Sequence, residues 1–342
     1  MRRRQADART DFDMPPVTTR AISLSTIRDA AGSIYDVVVR TPLVRLELPR
    51  AVQSGLPEIF LKLETLQPVG SFKIRGAQNA VKHLTRDQLA EGLWTVSAGN
   101  AAQGVALAAR AAGAACSVLV MDTAPETKLR SIERLGATIV KASYDECWRT
   151  VEAHRSDRMR GHFVHPFDDD RFISGNGTIG LEVVDDLPNV DAVVAPVGGG
   201  GLLAGIAAAL GELRPDARIY AAEPETAAPL ALSLKADAPS RFDGWTASFV
   251  DGAGGRSVLP SMWPLLRHRV SDSLVVSLDE AAAAMRVVAD RVHVIAEGAA
   301  ACAVAAVLSP SFAARGHRQV VAVVSGGNID LGRFSKLVGA CG

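Results

Sequence analysis

Lys73 is the residue of this chain whose surroundings most clearly indicate covalent chemistry. It lies in the run Ser-Phe-Lys-Ile-Arg-Gly at positions 71–76, and two turns rich in glycine occur far downstream. A lysine amine can form a Schiff base with an aldehyde. Glycine turns let main-chain N–H groups approach a phosphate closely. Together these features favour a site for a phosphorylated aldehyde cofactor.

The two downstream turns have the composition of ligand-binding loops. Gly198, Gly199, Gly200 and Gly201 follow an apolar run over residues 192–197 and precede a helix-type pattern over residues 202–210. A loop without side chains at a helix N-terminus directs N–H groups and the helix dipole to one anion. Ser325 opens a Ser-Gly-Gly-Asn turn that also follows an apolar run, residues 320–324. With the lysine, these turns indicate one pyridoxal phosphate site.

Each of these features has an ordinary explanation when it stands alone. Most lysines are exposed to solvent, consecutive glycines can form a flexible linker, and a serine–glycine turn can be only a tight connection. The position of the glycines between an apolar run and a helix-type pattern argues against a linker. The combination is more specific than its parts.

The composition excludes several classes of protein. The 342 residues are 48% hydrophobic, enough for a large core, and 37 basic residues balance 37 acidic ones. No overall basic field therefore attracts the chain to nucleic acid or to an anionic membrane. The longest apolar helical patch, residues 298–308, is too short to span a bilayer. We expect a small-molecule substrate, with no nucleic acid and no membrane as partner.

The cysteines and the N-terminal sequence favour a cytoplasmic protein. Cys116, Cys147, Cys302 and Cys341 are scattered without a Cys-x-x-Cys pair, and no secretory apolar segment opens the chain. Free thiols in a reducing compartment fit this pattern best. Residues 1–16 are rich in charge and are predicted to form a disordered arm.

Strand-type and helix-type patterns alternate along most of the chain, which predicts an α/β fold with parallel sheets covered by helices. Ligands of open α/β sheets bind beyond the carboxyl ends of strands. Ser97, Gly198 and Ser325 stand at such ends, so we expect their turns to share a cleft. The predicted strands cover residues 59–63, 93–97, 117–121, 138–141, 192–197, 218–222, 274–277 and 320–324. The predicted helices cover residues 72–84, 101–112, 126–135, 144–158, 179–187, 202–210, 278–291 and 299–308.

A series of motifs between residues 41 and 331 occurs in a characteristic order. They are Thr41-Pro42-Leu43, Lys62-Leu63-Glu64, the run 70–76, Ser97-Ala98-Gly99-Asn100, the four glycines, Phe249-Val250-Asp251-Gly252, Glu297-Gly298-Ala299 and the serine turn. In this order they resemble the serine/threonine ammonia-lyase and serine racemase group of fold type II pyridoxal phosphate enzymes. The resemblance implies a tryptophan synthase β-like fold of two doubly wound parallel-sheet domains with the cofactor between them. The large, cofactor-binding domain would comprise residues 17–90 and 168–342, and the small domain residues 91–167.

The resemblance implies roles around the cofactor. Lys73 would hold pyridoxal phosphate covalently and, once displaced by substrate, would remove the α-proton as a base. Phe72 would pack beside the pyridine ring, and Asn100 would hydrogen-bond its 3-oxygen. Ser325 would meet the ring nitrogen, while the four glycines would cradle the phosphate. Glu297 would lie near the ring oxygen or the substrate amine.

The resemblance also implies a place for the substrate. The turn that Ser97 opens would receive the substrate carboxylate with main-chain N–H groups, as electrostatics at a helix N-terminus favour. Its residues are Ser97, Ala98, Gly99, Asn100 and Ala101. Capping of the following helix by Ser97 or Asn100 is an alternative for these two side chains.

Three positions depart from the pattern of the family. Ala101 stands where a histidine commonly follows the asparagine, which leaves room for a substrate larger than serine. Ala98 stands where racemases carry a serine that delivers a proton to the opposite face, so two-face proton exchange is not expected. Glu223 matches the first ligand of the divalent-ion site of many relatives, but Pro229 replaces an acid there. One carboxylate holds a hard cation poorly, so we expect no metal at this position.

The histidines add no metal site on sequence grounds, because their spacing is not that of metal ligands. We expect each of them to be structural or exposed, and no bound metal. They are His83, His154, His162, His165, His268, His293 and His317.

The function that these observations predict is an ammonia-lyase that eliminates water from a β-hydroxy L-amino acid such as L-threonine or L-serine. The products would be a 2-oxo acid and ammonia, and we expect a homodimer. Three alternatives remain open at this point: a β-replacement or threonine-synthase-like enzyme, a racemase, and a non-catalytic amino-acid-binding protein.

Overall fold

A computed structural model describes residue 20, residues 22–49, residue 53 and residues 55–340 of the chain. The arm expected over residues 1–16 and the thiol of Cys341 lie outside these residues. Strands and helices alternate along the described part, and its strands form two separate sheets. The predicted α/β class is confirmed.

The larger sheet has six strands in the order β1-β2-β10-β7-β8-β9. All neighbouring strands are parallel except β1 and β2, which are antiparallel. Central strands β7 and β10 are apolar and almost entirely buried, as expected for a parallel sheet covered on both faces. The strands are β1 Leu43–Arg45, β2 Glu58–Leu63, β7 Ala192–Pro196, β8 Arg218–Pro224, β9 Asp272–Val276 and β10 Gln319–Val324.

The smaller sheet has four parallel strands in the order β5-β4-β3-β6. They are β3 Leu93–Val96, β4 Cys116–Met121, β5 Thr138–Ala142 and β6 His162–Phe163. The two sheets agree with the expected pair of domains. The boundaries at residues 90/91 and 167/168 stay a prediction.

The helices that cover the sheets include α1 Leu24–Ile34, α2 Lys73–Lys82, α3 Arg86–Glu91, α4 Asn100–Ala111, α5 Glu126–Glu133, α6 Tyr144–Ala153 and α7 Asp170–Asp186. They continue with α8 Gly201–Leu213, α9 Pro229–Ala236, α10 Trp263–Leu266, α11 Leu278–Val292, α12 Gly298–Leu308, α13 Pro310–Ala313 and α14 Leu331–Gly339. Among the described residues, no helix is long and apolar enough to cross a membrane.

Helix α2, which begins at Lys73, is held by close packing against two other helices. An added Cβ at Gly104 of α4 would lie 3.0 Å from the main chain of Lys73. A Cβ at Gly76 would lie 2.2 Å from the ring of Phe172, which belongs to α7. These two glycines therefore let α4 and α7 pack closely against α2. This packing fixes the position of Lys73 at the start of the helix.

Arg75 of α2 forms fully buried ion pairs with Glu64, which follows β2, and with Glu182 of α7. Its Nε lies 2.7 Å from Glu64 Oε2, and its Nη1 lies 2.6 Å from Glu182 Oε1. Lys62 Nζ lies 2.6 Å from Glu182 Oε2, and all four side chains are 0% exposed. Burial alone would raise the pKa of Glu182, but Arg75 and Lys62 hold it below its ordinary value. Because Arg75 lies two residues beyond Lys73, this network anchors the start of helix α2.

Two predicted helices have clearly different bounds in the structure. Helix α6 ends at Ala153, not at residue 158, because His154 adopts a left-handed conformation with φ of 54°. Helix α7 begins at Asp170, nine residues before the predicted start, with the Asp169 side chain as its cap. The glycines of its first half lower helix propensity, but Gly175 lies against the main chain of Arg75, where a Cβ would come within 2.4 Å. Tertiary packing therefore outweighs local propensity there.

Candidate active site

The carboxyl ends of strands from both sheets border one cavity of about 450 Å³. Ser97 follows β3 and Ser325 follows β10, and both residues line it. Every residue that the sequence assigned to the site borders this cavity: Phe72, Lys73, Ser97, Ala98, Gly99, Asn100, Ala101, Gly198, Gly199, Gly200, Gly201, Glu297 and Ser325. The expected shared cleft is therefore present.

The Lys73 amine lies deep in this cavity. Its Nζ donates a hydrogen bond of 2.6 Å to the main-chain oxygen of Pro166 and lies 5.2 Å from the centre of the Phe72 ring. Burial lowers the pKa of the Lys73 ammonium to about 8, although the Glu297 carboxylate opposes this shift. A lower pKa leaves more of the neutral amine, the form that attacks a carbonyl or accepts a proton.

The glycine loop packs too tightly for side chains. A Cβ at Gly199 would lie 2.2 Å from the Phe167 ring, and one at Gly198 would lie 2.7 Å from the Gly252 oxygen. Gly200 has a φ of 92° and caps α8, whose N-terminus points at the cavity wall. Among the described residues, no group accepts a hydrogen bond from the N–H groups of residues 198–201. These free donors at a helix N-terminus suit a phosphate.

Asn100 belongs to a network that joins both sides of the cavity. Its Nδ2 donates a hydrogen bond of 2.7 Å to Glu297 Oε1, and its Oδ1 accepts one of 2.8 Å from Asn328 Nδ2. Burial, with a smaller contribution from Asp251, raises the pKa of the Glu297 carboxyl to about 7. Glu297 can therefore hold or release a proton near neutral pH.

The serine turn is attached directly to the lysine turn. The main-chain N–H of Phe72 donates a hydrogen bond of 3.0 Å to the main-chain oxygen of Ser325. The main-chain N–H of Gly327 donates one of 2.9 Å to the main-chain oxygen of Gly70. Ser325 is buried, and its hydroxyl has no hydrogen-bond partner among the described residues. Lys73 and this free hydroxyl therefore hold fixed positions relative to each other.

The capping alternative for Ser97 and Asn100 is wrong. Gly99 is the cap residue of α4, and no side chain caps that helix. The Ser97 hydroxyl accepts a hydrogen bond of 3.1 Å from the Gly99 N–H. The N–H groups of Ala98, Asn100 and Ala101 have no acceptor among the described residues, so they can bind an anion.

Comparisons with known proteins identify the family. Residues 34–326 match the family described as pyridoxal-phosphate dependent enzymes. The chain belongs to this family. It is 37% identical over 328 residues to the catabolic L-threonine dehydratase of Staphylococcus aureus, covering 94% of this chain and 93% of that one. It is 36% identical over 319 residues to the L-threonine ammonia-lyase of Thermotoga maritima, covering 93% and 78%.

A solved structure supports the same assignment. Maize serine racemase superposes with a TM-score of 0.84 at 31% identity, covering 92% of this chain and 96% of that one. The resemblance drawn from the motifs, the fold type and pyridoxal phosphate as cofactor are confirmed. The free N–H groups of residues 198–201, the unpartnered hydroxyl of Ser325 and the buried amine of Lys73 fit this cofactor.

Several residues that line the cavity of this pyridoxal phosphate enzyme were not predicted. Pro166 and Phe167 follow the carboxyl end of β6, a strand of two residues that is too short to give a periodic pattern. Lys128 and Asp251 also line the cavity and form an ion pair with each other. Lys128 is of a type common at protein surfaces, so the sequence held no signal for it. Asp251 belongs to the motif at residues 249–252, but no role was predicted for it from the sequence.

Three side chains near the cavity form a cluster that the spacing of the histidines did not reveal. Ligand-type atoms of His154, His165 and Asp168 lie within 4.8 Å of one another. His165 Nε2 donates to the Val151 oxygen at 3.1 Å, and its Nδ1 accepts from the Asp168 N–H at 2.7 Å. Burial lowers the pKa of His165 to about 3. Both ring nitrogens are used, so a structural role fits His165 better than metal binding.

Glu223 has hydrogen-bond donors around its carboxylate. Its Oε1 accepts from the Leu230 N–H at 2.9 Å, and its Oε2 accepts from the Ala231 N–H at 2.8 Å and from the Ser273 hydroxyl at 2.6 Å. Burial raises the pKa of the Glu223 carboxyl to about 7, although these hydrogen bonds oppose the shift. The N-terminus of α9, with Pro229 as its first residue, meets the carboxylate. A cation here would have to displace these donors.

Treatment with a chelator is therefore expected to leave activity and melting temperature unchanged. The carboxyl oxygens of Glu223 already accept three hydrogen bonds, and one carboxylate holds a hard cation poorly. Activity and thermal unfolding of the holoenzyme are measured before and after dialysis against EDTA. A several-fold loss of activity that Mg²⁺ or Ca²⁺ restores would contradict this expectation.

Proposed function

We propose that this chain is an ammonia-lyase that eliminates water from a β-hydroxy L-amino acid such as L-threonine or L-serine. The observation that carries the proposal is the Lys73 amine in one cavity with two sets of free main-chain N–H groups. One set suits the phosphate of the cofactor and the other suits a substrate carboxylate. The names of the two sequence relatives, a threonine dehydratase and a threonine ammonia-lyase, support the same reaction.

The residues proposed to hold the cofactor surround the cavity. The N–H groups of residues 198–201 would bind its phosphate, Phe72 would pack beside its ring, and Asn100 would lie at its ring oxygen. The hydroxyl of Ser325 would meet the ring nitrogen, and Lys73 would provide the covalent link. When bound, pyridoxal phosphate supplies an aldehyde for the substrate amine and a ring that withdraws electrons from the α-carbon.

The proposed substrate site is the turn from Ser97 to Ala101. The N–H groups of Ala98, Asn100 and Ala101 lie at the N-terminus of α4 and would bind the carboxylate. Glu297, which hydrogen-bonds Asn100, lies in the same cavity and can accept a hydrogen bond from the substrate amine. These contacts would hold the α-carbon near Lys73.

Lys73 is proposed as the acid and base of the reaction. Its amine, with a pKa lowered to about 8 by burial, accepts the α-proton at Nζ. The same ammonium can then donate a proton to the departing β-hydroxyl, which leaves as water. The neutral hydroxyl of Ser325 would not force a positive charge on the ring nitrogen, and this would favour loss of the β-substituent. Hydrolysis of the released enamine gives the 2-oxo acid and ammonia.

Replacement of Ala98 by serine is expected to raise racemisation relative to elimination by roughly 10²-fold or more. The new hydroxyl would deliver a proton from the face opposite Lys73, and general acid catalysis supplies about 10²–10⁴-fold. The assay follows 2-oxo acid, ammonia and D-amino acid from L-serine and L-threonine. Ala124→Ser, at another part of the cavity wall, is the matched control and should keep the parent ratio.

The same assay tests the proposed function. The parent enzyme should release 2-oxo acid and ammonia in equal amounts. Interconversion of D- and L-serine faster than pyruvate release would favour the racemase alternative instead. Products that incorporate an added nucleophile would favour β-replacement or threonine-synthase-like chemistry. No release of product, with the cofactor bound, would favour the non-catalytic amino-acid-binding alternative.

We also propose a cytoplasmic location and a homodimer. Cys116, Cys147 and Cys302 are free, which fits a reducing compartment. Size-exclusion chromatography with light scattering tests the dimer, and a monomer mass would reject it.

A further inference from the structure

Asn328 contacts three elements of the active site, although the sequence motifs gave it no role. Its Nδ2 donates a hydrogen bond of 2.7 Å to the main-chain oxygen of Val69 and one of 2.8 Å to Asn100 Oδ1. Its main-chain N–H faces the Glu297 carboxyl and opposes the rise in the pKa of that group. Asn328 lines the cavity together with Asn100 and Glu297.

The Val69 oxygen determines how the Asn328 amide is oriented. A main-chain carbonyl only accepts hydrogen bonds, so the NH₂ group of Asn328 has to face it. The second hydrogen of that NH₂ group then points to Asn100, which has to present its own oxygen. Asn100 therefore directs its NH₂ group to the other side, where Glu297 Oε1 accepts at 2.7 Å. The orientation of Asn100 thus follows from a contact on the far side of Asn328.

Two glycines leave the space that this chain of hydrogen bonds needs. Gly70 has a φ of 68°, and a Cβ there would lie 2.8 Å from Asn328 Oδ1. A Cβ at Gly326 would lie 2.8 Å from Glu297 Oε1 and 3.2 Å from Asn100 Nδ2. The side chains of Asn328, Asn100 and Glu297 are therefore packed against main chain that cannot accommodate a bulkier residue.

We propose that Asn328 is a positioning residue that fixes the Asn100 amide so that its NH₂ group, and not its oxygen, faces the oxygen of the cofactor ring. Glu297 accepts one N–H of that group, and the other has no acceptor among the described residues. A donor at this place favours the ionised ring oxygen, whereas an acceptor would favour a ring hydroxyl. The inference rests on the place of Asn100 beside the ring in the proposed function.

The absorption spectrum of the bound cofactor tests this inference without an activity assay. The ring with an ionised oxygen absorbs in the visible, and the ring with a hydroxyl absorbs in the near ultraviolet. In Asn328→Asp the carboxylate would accept from the Asn100 NH₂ group and turn the Asn100 oxygen toward the ring. The ratio of visible to near-ultraviolet absorbance should fall about fivefold or more, the ratio that one net hydrogen bond supplies.

Three further variants separate this effect from other causes. Asn328→Ala adds no charge and should lower the ratio in the same direction by a smaller factor. Asn79→Ala removes a buried amide that donates 2.7 Å to the Arg171 oxygen. Asn79 lies outside the residues that line the cavity, so this variant should lose stability but keep the parent ratio. Asn100→Ala should change the ratio, because it removes the donor itself.

The outcomes distinguish failure of this inference from failure of its premise. If Asn100→Ala changes the ratio while Asn328→Asp and Asn328→Ala stay within twofold of the parent, Asn328 does not orient the amide. If Asn100→Ala leaves the ratio unchanged, Asn100 does not face the ring oxygen, and both its proposed place and this inference are overturned.

Discussion

Lys73→Ala is expected to lower kcat/KM for 2-oxo acid release by about 10²–10⁴-fold, the range that a general acid–base residue supplies. Its Nζ is the only amine assigned to proton transfer in the proposed reaction, and it lies deep in the cavity with a pKa lowered to about 8 by burial. Steady-state kinetics of the variant with cofactor in excess measure the effect.

Lys82→Ala is the matched control for this substitution. Lys82 ends the same helix, is 40% exposed and pairs with Asp36 at the surface. An exposed ion pair contributes at most about 1 kcal/mol, so Lys82→Ala should keep the parent kinetics. A Lys73→Ala enzyme that retains activity within tenfold of the parent would remove Lys73 from the proposed acid–base role.

Arg75→Ala is expected to destabilise the fold by about 3–5 kcal/mol, the cost of removing one partner from a buried ion pair. The substitution leaves the carboxylates of Glu64 and Glu182 buried without their arginine partner. Lys62 still pairs with Glu182 Oε2, but both hydrogen bonds from Arg75 to this carboxylate are lost. The free energy of unfolding in denaturant at neutral pH measures this effect.

Arg130→Ala serves as the control for the loss of an arginine ion pair. Arg130 is 72% exposed and pairs with Glu126 one helical turn away. Such surface pairs contribute less than about 1 kcal/mol. If Arg75→Ala costs no more than Arg130→Ala, the buried network does not stabilise the start of helix α2.

The sequence predicted the parts of the fold that have strong local patterns. The strands around residues 192–197 and 320–324 are continuous apolar runs, because both faces of a parallel sheet are buried. Strands β1 and β6, of three and two residues, were missed because they are too short for a period to emerge. Their pairing depends on partners distant in the chain.

The same distinction applies to the site. The lysine motif, the glycine loop and the serine turn are recognisable because each needs particular residue types next to one another. Asn328 hydrogen-bonds Asn100, and Asn100 hydrogen-bonds Glu297. The residues of this second pair are more than 190 positions apart in sequence. Nothing local marks such a contact, and the same is true of the pair Lys128–Asp251. Sequence therefore identified the chemistry, and the structure was needed for the hydrogen bonds that orient it.

The covalent site of the cofactor tests the central claim most directly. Borohydride reduction of the purified holoenzyme, followed by proteolysis and mass spectrometry, identifies the lysine that carries pyridoxal phosphate. Lys73 should be labelled in full, and Lys62 and Lys128 should be free of label. Label on another lysine, or on none, would contradict the assignment of Lys73 and with it the proposed reaction.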